Sequence, residues 1–169
     1  HCPNSGSMLN LLKPGNQVWF TKSKNEKRKL KYTLQIIEVD KVKHCVNTHI
    51  TNKVIQESLN KKLIDELAEF SIVKAEKKFG KNTRFDFYLG NLKNNKKAYL
   101  EVKSVSLSRR NGFAEFPDAV TIRGKKHLQD LILAKEQGYE SYLIFLVQIE
   151  NCNTFSIASD IDPDYFKAF

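Results

Sequence analysis

Arg84-Phe85-Asp86-Phe87 and Leu100-Glu101-Val102-Lys103-Ser104 are the two stretches on which the reading of this chain turns. Side chains on a strand alternate between faces, so residues two apart share one. In the first stretch Arg84 and Asp86 then share a face and Phe85 and Phe87 point away. In the second, Glu101 and Lys103 project together while Leu100 and Val102 enter the core. As neighbouring strands, the two stretches bring two carboxylates and a lysine to one spot. Paired hard oxygen donors suit Mg²⁺ or Mn²⁺, which keep water in their remaining positions. A nearby ammonium can polarise the attacking water or steady a phosphate. That is the minimum equipment for metal-assisted hydrolysis of a phosphodiester.

Glu-x-Lys on a strand is also a common solvated face. Three features favour the metal site. Phe-x-Phe and Leu-x-Val alternate as half-buried strands do. The polar loop Gly90-Asn91-Leu92-Lys93-Asn94-Asn95-Lys96-Lys97 suits a hairpin between them. The chain is also basic, with a formal net charge of +9 and a pI near 9.4. That balance favours a polyanion such as DNA through counterion release and steering. A lysine- and asparagine-rich proteome would give the same excess.

The 169 residues suffice for a full core. No apolar run reaches the roughly 18 residues that a membrane helix needs, and no signal peptide is visible. The three cysteines, Cys2, Cys45 and Cys152, are odd in number and widely spaced. They do not read as a disulfide framework, and a reducing cytoplasm is expected. The opening His1-Cys2-Pro3-Asn4-Ser5-Gly6-Ser7-Met8 reads like the middle of a domain, so a preceding N-terminal segment is expected.

Residues 1–46 look β-rich, with strands over 17–21 and 34–39. Between them lies a basic stretch containing Lys27, Arg28 and Lys29. It reads either as a grip on a phosphate backbone or as a solvated hairpin tip. Asn52 is placed as the N-cap of a helix running to about Glu69, with apolar positions Val54, Ile55, Leu59, Leu63, Leu67 and Ala68. Glu57 at the margin of that stripe can join a metal site or pair with Lys61 four residues on. Strands follow over 70–78, 84–89 and 98–107, with Glu76 as a further acidic neighbour of lesser weight. A helix is expected from about Gly124 to Gln137, its buried side marked by Ile122, Leu128, Leu131 and Ile132, and Gly138 as its C′ residue. Arg123 and His127 at its start can meet a phosphate, the alternative for His127 being an exposed helix histidine. The apolar run 142–147 reads as a strand buried on both faces. Asp160-Ile161-Asp162-Pro163 resembles a capped start of a last helix. This order argues for an α/β domain with a mixed sheet covered by helices.

Other constellations fall away. His1-Cys2 and His44-Cys45 lack zinc-ligand spacing. Ser5-Gly6-Ser7 is a Gly/Ser turn without the Walker lysine. Neither a nucleophile elbow nor a dinucleotide fingerprint occurs.

The stretches His1–Met8, Lys27-Arg28-Lys29-Leu30, Val46-Asn47-Thr48, Arg84–Phe87, Glu101–Val105 and Phe116-Pro117-Asp118-Ala119-Val120-Thr121-x-Arg123-Gly124-x-x-His127-Leu128 resemble, in order and nearly end to end, the sugar fermentation stimulation protein A family. The resemblance implies part of an N-terminal OB-like β-barrel over 1–46, with its first strands missing. It implies a nuclease-like α/β domain of the PD-(D/E)XK fold over 47–169, with a last stretch beyond Phe169. It implies that Asp86, Glu101 and Lys103 are the nuclease-like triad, that Glu57 is a further acidic neighbour of the metal, and that Mg²⁺ or Mn²⁺ is the cofactor. Lys27, Arg28 and Lys29 fall in the barrel, where backbone contacts are expected, and Arg84, Arg123 and His127 are expected on phosphate. The implied function is DNA binding without sequence specificity, with a divalent-metal-dependent nuclease site. The alternative is a non-catalytic DNA-binding regulator of sugar (maltose) metabolism on the same scaffold. A sugar-metabolic enzyme finds no supporting motif.

Overall fold

Alternation along Thr83–Gly90 is what builds the sheet carrying the two decisive stretches. In the computed structural model, which describes residues 1–4 and 6–169, Phe85, Phe87 and Leu89 are fully buried while Arg84 is exposed and Asp86 half-buried. Ser5 of the Gly/Ser turn lies outside the described residues.

The chain gathers into two compact units. One comprises His1–His49, Ser104–Val120 and Leu146–Phe166; the other comprises Ile50–Lys103, Thr121–Phe145 and Lys167–Phe169. The first unit opens with β1 (Gln17–Lys22), β2 (Tyr32–Val39) and β3 (Val42–Cys45), an antiparallel sheet in the order β1-β2-β3. Asp40 and Lys41, both with positive φ, close the two-residue turn between β2 and β3, the hairpin geometry that matches strand twist. Met8, Leu11, Ile37 and Val46 form its core. Helix α1 (Thr48–Asn60) follows, then a 3-10 turn at Asp65–Leu67.

The strands β4 (Ile72–Phe79), β5 (Thr83–Gly90), β6 (Lys97–Val105) and β9 (Glu140–Val147) form a four-stranded sheet in the order β4-β5-β6-β9. Between β6 and β9 the chain makes β7 (Leu107–Arg110), β8 (Phe113–Phe116) and helix α2 (Ile122–Glu136). After β9 come β10 (Thr154–Ile157) and the short helix α3 (Pro163–Ala168). A smaller mixed sheet has the order β10-β8-β7, with β10 parallel and β7 antiparallel to β8. The architecture is mixed α/β.

Phe79, Phe85 and Tyr99 pack against Leu131 and Ala134 of α2. Their rings lie 5.1–5.5 Å apart between centroids, and each such pair contributes about 0.5–1.5 kcal/mol beyond its buried area. Thr121 caps α2 by accepting the Gly124 N–H at 3.0 Å. Gly138, at φ 86°, takes the left-handed position after its end. Asp162 accepts the Tyr165 N–H and so caps α3. Cys2, Cys45 and Cys152 are free thiols. No helix among the described residues is long and apolar enough to cross a membrane.

Four expectations are corrected. Helix α1 starts at Thr48 and not after Asn52, because the Asn47 side chain accepts the His49 N–H and Asn52 lies inside the helix. It stops at Asn60, where Lys62 turns left-handed and donates its N–H to the Leu59 carbonyl; Val54 and Leu63 are exposed. On α2 the buried stripe is Gly124, His127, Leu128, Leu131 and Ala134, the spacing of one helical face, while Ile122 and Ile132 face solvent. Strand β9 is only partly buried along its length, because it is the edge of its sheet.

Candidate functional site

Strands β5 and β6 pair antiparallel, with Phe87 opposite Leu100 and Gly90 opposite Lys97. The Asn-rich loop fixes that register. Asn91 and Asn94 side chains accept the N–H groups of Lys93 and Lys96, and the Asn91 N–H reaches the Lys96 carbonyl at 2.9 Å. Beyond Phe87 the Asp86 side chain joins the ladder: its Oδ2 accepts the Val102 N–H at 2.8 Å. Its Oδ1 accepts Nδ2 of Asn52 from α1 at 2.7 Å.

Glu101 is only 4% exposed. Its Oε1 accepts the Lys103 ammonium at 2.6 Å and a very short hydrogen bond from His127 Nδ1. Arg123 Nε donates to His127 Nε2 at 3.4 Å. That assigns the imidazole tautomer: Nε2 accepts and Nδ1 carries the proton. Lys103 Nζ, 3.4 Å from the same Nδ1, is therefore a neighbour of the ring and not its donor. Two donors converge on Oε1, and Oε2 is buried without a partner.

The two carboxyls are shifted in opposite directions. Burial, then the charge of Glu101, raises Asp86 above its ordinary value, against the Val102 and Asn52 hydrogen bonds. Burial also pushes Glu101 up, but the hydrogen bond from His127 together with the charge and hydrogen bond of Lys103 outweighs it, and that carboxyl lies below its ordinary value. A bare buried carboxylate oxygen beside a second carboxylate that feels its charge is a place for a cation. Among the described residues no group of three His, Cys, Asp or Glu converges on a metal position. Two carboxylates with the other positions left to water or phosphate match Mg²⁺ and Mn²⁺ rather than an all-protein cage.

Asp86, Glu101, Lys103, His127 and Arg123 are thus brought together. His127, expected on phosphate or as an exposed helix histidine, is neither: it is buried, with Nδ1 on Glu101 and Nε2 on Arg123. Glu57 is not brought to this cluster. It is exposed and its carboxylate lies 2.5 Å from Lys61, which lowers its pKa. Five residues separate it from Asn52, about 140° around a helix of 3.6 residues per turn, so a helix that turns Asn52 toward Asp86 turns Glu57 aside. Arg84 is exposed and pairs with Glu76 at 3.7 Å. Lys27 and Lys29 are exposed in the β1–β2 loop, and Arg28 between them bonds the Thr33 hydroxyl at 2.9 Å.

Asn52 was hidden behind its own suitability as an N-cap. Its signal is the stripe Thr51, Ile55, Leu59, which puts position 52 on the same side as 55 and 59. Replacing Asn52 by alanine is expected to weaken Mn²⁺ affinity about 10- to 100-fold, the usual cost of losing a group that orients a ligand; isothermal titration measures it.

Two family models match the chain: the SfsA N-terminal OB domain over residues 1–48 and the sugar fermentation stimulation protein RE domain over residues 49–169. A sugar fermentation stimulation protein homolog of Pelagibacter ubique is 52% identical over the whole chain, which covers 72% of that relative. Homologs from a Ruegeria species and from Brucella anthropi are 43% and 42% identical over 100% and 99% of the chain, covering 73% and 72% of those proteins. Among solved structures, SfsA of Pyrococcus furiosus in complex with Ca²⁺ superposes with a TM-score of 0.86 at 24% identity, over 99% of this chain and 71% of that one. That likeness carries the fold.

Proposed function

The chain belongs to the sugar fermentation stimulation protein family, and from that premise we propose that it is a DNA-binding, divalent-metal-dependent nuclease. The reading is carried by Glu101 Oε2, buried and unpartnered on the strand next to that of Asp86, with Lys103 on the other oxygen of the same carboxylate. Asp86 and Glu101 hold Mg²⁺ or Mn²⁺. The Pyrococcus furiosus relative was solved with Ca²⁺, an ion with the same preference for oxygen ligands. A divalent cation there supplies Lewis-acid polarisation of the phosphate and lowers the pKa of a bound water.

The chain's own residues do the rest. Asn52 and the Val102 N–H fix the Asp86 carboxylate. His127 and Lys103 fix Glu101 through Oε1 and leave Oε2 without a partner. The Lys103 ammonium has donors to spare after Glu101; it orients the attacking water and steadies charge that develops on the phosphoryl oxygens. Arg84 and Arg123 supply guanidinium donors to phosphate. The test is cleavage of plasmid and single-stranded DNA with Mg²⁺ or Mn²⁺, by wild type and by a Lys103→Ala variant. Metal-dependent cleavage lost in the variant supports the reading; equal cleavage by both overturns it.

DNA binding itself rests on the net charge of +9 and on the exposed loop cations. Affinity is expected to fall linearly in log–log with salt. Since each phosphate contact contributes about 0.9 to the slope, replacing Lys27, Arg28 and Lys29 together by glutamine should flatten it by about 2 to 3, read by anisotropy across a salt series. An unchanged slope would remove the loop from the interface. A regulator without turnover shares this binding behaviour and differs in the cleavage assay alone.

A further inference from the structure

Strands β4 and β5 pair from Ile72 opposite Gly90 to Phe79 opposite Thr83, and their register sets Glu76 opposite Asp86, between Ala75↔Phe87 and Lys77↔Phe85. Glu76 nevertheless has a left-handed backbone, φ 55°, in the middle of its strand. The other non-glycine residues with positive φ among the described ones lie outside strands and helices. An L side chain disfavours that region, and such strain persists where it aims a group that function needs. Here it aims a carboxylate: Glu76 Oε2 lies 3.7 Å from Nη1 of Arg84, with both side chains about half exposed. Arg84 is two residues from Asp86 on the same strand and so on its face.

We infer that Glu76 is a positioning residue that holds the Arg84 guanidinium beside Asp86, where its remaining donors take a phosphate oxygen of the DNA. The inference rests on the reading of Asp86 and Glu101 as the cleavage site. Arg84 presents five N–H donors in a rigid fork, so a carboxylate on one edge leaves the other for phosphate. The sign of the effect separates this from a surface charge. A carboxylate that merely repels DNA tightens binding when neutralised; one that holds Arg84 loosens it.

The experiment is fluorescence anisotropy with a short labelled DNA duplex and its single strand in Ca²⁺, on the wild type and on Glu76→Gln, Glu76→Gly, Arg84→Gln and the Glu76→Gln/Arg84→Gln double variant. Glu76→Gly keeps the left-handed backbone at ease and guards against a folding artefact. Glu76→Gln and Glu76→Gly should each weaken binding about fivefold, the upper end for an exposed ion pair, and the double variant should bind no worse than Arg84→Gln. In Mn²⁺-dependent cleavage the same variants should raise KM with kcat little changed. Wild-type or tighter binding by Glu76→Gln, full additivity with Arg84→Gln, or no DNA binding by the wild type overturns the inference. If the wild type cleaves and the coupling is absent, the inference alone fails. If the coupling is present and the wild type does not cleave with Mg²⁺ or Mn²⁺, the nuclease reading alone fails.

Discussion

Replacing Asp86 by asparagine is expected to lower metal-dependent DNA cleavage by about 100-fold or more, because a Lewis-acid site supplies several kcal/mol and each 1.36 kcal/mol is a factor of ten. Asparagine keeps an acceptor for the Val102 N–H, and its amide can donate to a flipped Asn52, so the fold is retained. Stability should move the other way. Asp86 is raised above its ordinary value of 3.8, by burial first and by Glu101 second. The native state therefore holds this proton more tightly than the unfolded chain, and stability falls as pH rises from about 3.8 through the raised pKa. Above the raised pKa the ionised carboxylate costs stability in full. Thermal melts in EDTA should show the variant more stable than the wild type at pH 7, with the difference vanishing below pH 3.8. Added Mn²⁺ should reverse the order, since binding to the native state stabilises the wild type alone. A variant that melts below the wild type in EDTA at pH 7 would contradict this electrostatic account of Asp86.

Replacing Lys103 by methionine is expected to destabilise the protein by about 2–4 kcal/mol, the cost of leaving a buried carboxylate short of its charge partner. Lys103 and Glu101 are 11% and 5% exposed at 2.6 Å, so little solvent screens the pair, and methionine preserves the packing of the lysine stem. Glu101 lies below its ordinary value of 4.5, so its sign is opposite to that of Asp86. The stability it contributes is present above pH 4.5 and lost as pH falls through the lowered pKa. The penalty in Lys103→Met should therefore be full at pH 7 and shrink in acid, as denaturant melts across pH will show. A pH-independent penalty would assign Lys103 a packing role only. Two neighbouring carboxyls driven apart in pKa are the arrangement by which one site divides its proton chemistry.

The period-2 pattern at Asp86, Glu101 and Lys103 was legible because strand alternation is local and the Asn-rich loop sets one register. The two flanking helices are less legible because their contributions depend on rotation about an axis. Asn52 and Glu57 differ by five positions, and the side that faces β5 is the one on which Thr51, Ile55 and Leu59 are buried. On α2, His127 falls between Gly124 and Leu128 on the buried stripe; a polar residue at a core position is a signal, and the partner it needs, Glu101, lies 26 residues away. The exposure of Ile122 and Ile132 and the half-burial of β9 follow from which face and which edge remain uncovered, and no local pattern specifies that. Glu76 reads from sequence as an acidic neighbour, but its left-handed backbone has no signature in the residue type, since glycine or asparagine is what that region favours.

Soaking crystals in Mn²⁺ and locating the ion by its anomalous signal tests the metal site most directly. The expected result is a peak about 2.2 Å from oxygens of both Asp86 and Glu101, with Oε2 as the Glu101 ligand and Lys103 still on Oε1. Crystals saturated with Mn²⁺ that show no peak there, with the two carboxylates turned apart, would contradict it.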